Sequence, residues 1–179
     1  MRARYFTVVL TSVFFCGFQP SAPHALVPTP ATVHPVAGSG VHYFTTALVH
    51  SSQPTATGMI QRSTETVDLS GDVSGRLLYQ PISVFDFTAG TLVNTGHQVF
   101  SGMVLGVGPV MLHDDSFRFD VDLNTGATTG EVHLEATIAG RKARCDLQVV
   151  GTGMTSEGNA TFNYSGACRV WPARTGAKD

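Results

Sequence analysis

Ala143-Arg144-Cys145-Asp146-Leu147-Gln148-Val149 and Ala160-Thr161-Phe162-Asn163-Tyr164-Ser165-Gly166-Ala167-Cys168-Arg169 flank the turn-like run Thr155-Ser156-Glu157-Gly158. In the first arm Ala143, Cys145, Leu147 and Val149 alternate with Arg144, Asp146 and Gln148. In the second, Ala160, Phe162, Tyr164 and Cys168 alternate with Thr161, Asn163, Ser165 and Arg169. A period of two is that of a β-strand with one buried face. Folding the chain between Ser156 and Glu157 sets Cys145 opposite Cys168, Leu147 opposite Gly166 and Val149 opposite Tyr164, so the inward faces meet. The pairing predicts a Cys145–Cys168 disulfide, and with it an oxidising compartment; two reduced, buried thiols are the alternative.

The same period extends upstream. Phe117-Arg118-Phe119-Asp120-Val121-Asp122-Leu123 alternates without an error, and Asn124-Thr125-Gly126 then supplies turn chemistry. Val132, Leu134, Ala136 and Ile138 alternate with Glu131, His133, Glu135 and Thr137. A turn at Ala139-Gly140-Arg141-Lys142 would set Val132 against Val149, Leu134 against Leu147 and Ala136 against Cys145. Residues 115–170 therefore read as a four-stranded antiparallel meander.

The first half offers candidate strands at Val41–His50, Thr57–Leu69, Gly75–Phe87 with a break at Pro81, and Thr91–Leu105. The connector Gly106–Asp114 reads as a loop over one mouth of the sheet. About eight short strands with frequent turn signals predict an all-β fold, an antiparallel up-and-down β-barrel, with a two-sheet β-sandwich as the alternative.

Arg2, Arg4, the apolar run Tyr5–Phe18 and the small residues before Ala25 read as a signal peptide over residues 1–25, implying a secreted or periplasmic protein. Residues 26–40, with Pro28, Pro30 and Pro35 and no charge, read as a flexible arm before a barrel domain at 41–171 and a C-terminal tail at 172–179. Loss of residues 1–25 removes Cys16 and two arginines, leaving nine basic against thirteen acidic residues. That balance disfavours nucleic acid as a partner, and the apolar run is too short for stable membrane insertion of the mature chain.

Leu69-Ser70-Gly71-Asp72-Val73-Ser74-Gly75, Gly96-His97-Gln98-Val99-Phe100-Ser101-Gly102, Gly151-Thr152-Gly153 and Tyr164-Ser165-Gly166 together resemble the allene oxide cyclase-like and dirigent-like barrels of calycin type. The resemblance spans most of residues 57–168. It implies a closed barrel with an apolar ligand cavity and, in some members, cyclisation of a bound apolar substrate.

No nucleophile elbow, zinc-type cysteine pair or phosphate-binding loop is present in the sequence. Glu131, His133 and Glu135 with Asp120 and Asp122 have the residue types of a metal site, but same-face strand neighbours lie too far apart, and the set reads as a solvated face with no metal. His113-Asp114-Asp115 reads as a strand-entry turn. The isolated ionisable residues Asp86 and His97 are catalytic candidates, provided that either points inward. The reading that leads is a barrel binding a small apolar molecule against Phe117, Phe119, Phe162 and Tyr164, without a cofactor. A cyclase or isomerase using the same interior, and a packed structural or interaction domain, are the alternatives.

Overall fold

The computed structural model describes residues 30–138 and 141–172. The signal-peptide reading of residues 1–25 lies outside them, as do most of the C-terminal tail and the Ala139-Gly140 turn. Among the described residues nine strands follow one another: β1 Thr32–His42, β2 Leu48–Pro54, β3 Gly58–Gly71, β4 Val73–Asp86, β5 Thr91–Val104, β6 Gly108–Asp122, β7 Thr128–Ile138, β8 Arg141–Met154 and β9 Ala160–Val170. Neighbours in sequence pair from β2 through to β9, and β1 lies between β9 and β3. The ring β1-β9-β8-β7-β6-β5-β4-β3 is a closed antiparallel barrel of eight strands, and β2 is an additional strand laid on β3. The barrel, rather than the sandwich, is the architecture.

The disulfide is present: Cys145 and Cys168 are directly opposite, their sulfurs 2.03 Å apart. Leu147 faces Gly166 and Val149 faces Tyr164, as the alternation requires.

Residues 32–40, expected as the end of a flexible arm, belong to β1, which pairs along its whole length with β9 and closes the ring. Pro35 is tolerated there because β1 pairs with β3 only from Gly38 onward, so at Pro35 one edge of the strand has no ladder that a missing N–H would break. The proposed strand Val41–His50 is split by a single 3-10 turn at Phe44–Thr46. The β7–β8 register is Val132 to Leu147, Leu134 to Cys145 and Ala136 to Ala143. Pairing that continues to Ile138 and Arg141 leaves a two-residue connection in place of four, which slides the partner by two and preserves every face.

The connector before Asp115, expected as a loop over one mouth of the sheet, is strand β6 from Gly108. Between the pairs Gln98–Asp115 and Phe100–Leu112, β6 has two residues where β5 has one, a β-bulge. The extra residue resets the phase: Leu112 and Asp115 both face inward while His113 and Asp114 face out. Pro81, expected to break β4, sits within it, but the β3–β4 ladder lapses beside it between the pairs Arg62–Ile82 and Glu65–Tyr79.

One half of the interior, between the β3–β4 and β5–β6 turns and the start of β1, is apolar: Val73, Phe100, Leu112, Leu134, Cys145 and Cys168 are fully buried. Burying each of the larger side chains there stabilises the fold by about 1.5–3 kcal/mol. Further along, the aromatic rings lie across the wall. Tyr164, Phe162, Phe117 and Phe119 are each paired directly with a glycine of the next strand: Gly38, Gly40, Gly96 and Gly130. A Cβ at Gly38 would lie 2.3 Å from the Tyr164 hydroxyl oxygen, and one at Gly130 2.0 Å from the Phe119 ring. The missing side chains are what allow these rings to cover the neighbouring backbone.

Tyr164 reaches past Gly38 to the β3–β4 turn, where its hydroxyl accepts the Val73 N–H at 2.8 Å and lies 2.7 Å from the Val73 carbonyl, to which it donates. Tyr164→Phe is expected to cost about 1–3 kcal/mol, because it leaves a buried backbone N–H unpaired while the ring still fills its place. Urea denaturation of the two proteins measures it; an unchanged midpoint would show that the turn is held by other contacts.

Candidate functional site

The other half of the interior carries buried polar side chains among its apolar ones. Counting inward positions across the ladder, Glu65 on β3 faces Tyr79 on β4, Tyr79 faces Gln98 on β5, and Gln98 faces Asp115 on β6. All four are buried. They form a continuous polar row around the inside of four strands, which the alternation requires once each strand has its phase.

The row is extended at its Glu65 end. His42, the last residue of β1, places Nε2 against Glu65 Oε2, and Ser63 Oγ donates to Glu65 Oε1 at 2.5 Å. His42 keeps 20% of its side chain exposed against 6% for Glu65, so the imidazole stands between the carboxylate and solvent. Its ring meets that of Tyr79 edge-on at 5.0 Å, and Tyr79 stacks on Phe117 at 4.2 Å. Burial, aided by the Glu65 charge, raises the Tyr79 phenol well above its ordinary value, and Asn94 lies beside it.

At the opposite end of the row Asp115 Oδ1 accepts the Glu135 N–H at 2.6 Å. Burial pushes the Asp115 carboxyl up to about 7, against the pull of that N–H and of the backbone N–H of Phe100. Three buried side-chain atoms in this half have no partner: Asn94 Oδ1, Gln98 Nε2 and Asp115 Oδ2. An acid balanced near neutrality, an imidazole–carboxylate pair and a phenol are the groups that bind polar substituents or move protons in an enclosed site.

Neither catalytic candidate drawn from sequence belongs to this row. Asp86 ends β4 and caps the following turn, accepting the N–H of Ala89 at 2.8 Å and of Thr88 at 3.0 Å, which holds its carboxyl below the usual range. His97 is exposed on the outer face, its Nδ1 3.3 Å from the Asp115 carbonyl oxygen. The inward neighbour is Gln98.

The aromatic candidates divide. Phe117 and the partly buried Phe119 and Phe162 border the polar half, whereas the Tyr164 hydroxyl is committed to the Val73 backbone. Two hollows of about 490 and 450 Å³ open at the rims, beside Met103–Gly108 and beside Ala89–Val93, and the four aromatics line neither. On the outer face, Glu131 meets Gln148, Glu135 meets Lys142, and Asp146 receives His133, Arg144 and Arg169. Although burial opposes ionisation at Asp146, the bonds from Arg144 and His133 hold its carboxyl below the usual range. Arg144 and Arg169 are directly opposite in the ladder, and Asp146 between them offsets their repulsion.

No family model, curated protein or solved structure matches the chain.

Proposed function

We propose that this chain is an exported barrel that binds a small molecule with an apolar body in the polar-aromatic half of its interior. The observation that carries the proposal is the buried row Glu65–Tyr79–Gln98–Asp115, with three orphaned polar atoms in the same half. Ionisable and unpaired polar groups cost free energy wherever they are buried, and a barrel needing only stability would fill these positions with aliphatic side chains. Phe117, Phe119 and Phe162 supply the apolar wall, and His42 faces the solvent from which a ligand enters. The disulfide is compatible with an oxidising compartment and supports export.

Native mass spectrometry of the disulfide-bonded protein with apolar compounds, alongside displacement of a hydrophobic dye, tests the reading. One-to-one adducts are expected. Phe119→Trp is expected to weaken binding at least about fivefold, because the larger ring, already against Gly130, must extend into the interior, while the fold is kept. No adduct with any compound, together with no dye binding, would leave a packed structural domain as the better account.

A second reading draws on the same row. Inward acids and a His–Glu pair favour acid–base chemistry on the bound molecule, the isomerase or cyclase class that the resemblance to allene oxide cyclase-like barrels implies. Incubation with polyene and epoxide substrates, followed by product analysis, separates it from binding alone: Glu65→Gln is expected to abolish turnover and to retain binding.

A further inference from the structure

Gln98 and Asp115 are cross-strand partners, 3% and 2% exposed, and both point into the barrel. Asp115 Oδ1 is occupied by the Glu135 N–H, while Asp115 Oδ2 and Gln98 Nε2 have no partner. A buried donor and a buried acid oxygen are thus left open on paired residues of adjacent strands, each at a cost of about 1–3 kcal/mol. We propose that this pair seats the hydroxyl group of a neutral alcohol, whose oxygen accepts from Gln98 Nε2 and from the protonated Asp115 Oδ2. The proposal rests on the ligand-binding reading above and names the head group that reading requires.

The chemistry of the surroundings selects among head groups. A hydroxyl oxygen carries two lone pairs and no charge, and so can accept from both the amide and the protonated acid. A carboxylate would bring a buried negative charge into the row that holds Glu65, and His42, the basic side chain in the polar row's company, is already spent on Glu65. The apolar remainder of the alcohol runs along the same interior face toward Phe117 and Phe119, two and four residues further along β6.

The wall beside Asp115 is also only partly held by its ladder. Pairing between β6 and β7 runs from Val121–Thr128 to Ser116–His133 and stops there, although β6 continues back to Gly108 and β7 on to Ile138. Just past the last pair, the Glu135 N–H bonds to the Asp115 carboxyl instead of to a backbone carbonyl. A wall tied by a side chain can shift to admit a head group without breaking a continuous ladder.

A matched series of 1-decanol, n-decane, decanoate and decylammonium, competed against a hydrophobic dye at pH 6, tests the assignment. Decanol is expected to bind at least about tenfold more tightly than each of the others. Gln98→Leu is expected to bring decanol down to the level of decane while leaving decane unchanged, and Asp115→Asn, which keeps an acceptor and a donor in place, to retain most of the advantage. Equal binding of decanol and decane, or tighter binding of the carboxylate or the ammonium, overturns the alcohol assignment and leaves the binding reading intact. Binding of none of the four overturns both. The wild-type series decides the matter even if a variant fails to fold.

Discussion

Removing the bridge, as Cys145→Ala with Cys168→Ala, is expected to lower the free energy of unfolding by about 3 kcal/mol. The cysteines are 23 residues apart, so the bridge constrains a loop of that size in the unfolded chain, and the chain-entropy model assigns such a loop about that value. Two further consequences add to it. Both sulfurs are buried in the apolar half, where truncation to alanine leaves unfilled space against Leu134 and Ala143. The bridge also pins β9 to β8, and β9 is the strand on which β1 closes the barrel, so loosening it loosens the closure. Urea denaturation of oxidised wild type and of the double variant measures the difference. A loss below about 1 kcal/mol would mean that the β8–β9 ladder alone holds the closure.

The second large effect is a dependence of stability on pH that runs against the usual direction for a carboxyl group. In the folded barrel Asp115 keeps its proton up to about pH 7, whereas in the unfolded chain it loses it near 3.8. Between those values the folded state binds more protons than the unfolded state, so stability falls as pH rises through the window and the loss is complete above it. The total is on the order of a few kcal/mol. Asp115→Asn keeps an oxygen for the Glu135 N–H and has no charge to bury, so its stability is expected to vary less between pH 4 and 8 and to exceed that of wild type at pH 8. Asp68 and Asp146, whose carboxyls are held low by Arg76 and by Arg144 with His133, act in the opposite sense and lose stability in acid, but they do so equally in both proteins. Unfolding curves at pH 4.5, 6 and 8 check the prediction; parallel profiles for the two proteins would show that Asp115 is not the group responsible.

Much of this architecture is legible in the sequence because alternation is a local signal that tertiary context does not alter. The β8–β9 pairs Cys145–Cys168 and Val149–Tyr164 follow from parity and one turn, and they stand. What parity alone does not carry is any change of phase or any count of turn residues. The bulge at His113-Asp114 hid the first half of β6, because counting back in twos from Phe117 puts Met111 and Pro109 on the inside where Leu112 and Val110 belong. The shorter β7–β8 connection moved that register by two, an error that the faces do not reveal.

The polar row inside the barrel is hard to read from the sequence for a related reason. Asp86 and His97 drew attention by their isolation in sequence, yet isolation says nothing about face. The signal that does was available at two positions: Asp115 shares the phase of Phe117 and Phe119, and Glu65 that of Val67 and Leu69, so each is an acid in an inward position. His42 shares the phase of Val36 and Gly40, but it follows a proline-bearing stretch whose lack of charge resembles a linker. Only the pairing with β9, nonlocal by some 120 residues, turns that stretch into a strand.

The central claim is that the ligand sits inside the barrel, and chemical-shift mapping of the isotope-labelled protein titrated with 1-decanol tests it most directly. The account predicts perturbations concentrated on His42, Glu65, Tyr79, Gln98, Asp115 and Phe119, saturating at one equivalent. Perturbations confined to the exposed apolar residues of the outer face, Leu78, Val99, Met103 and Met111, would contradict it.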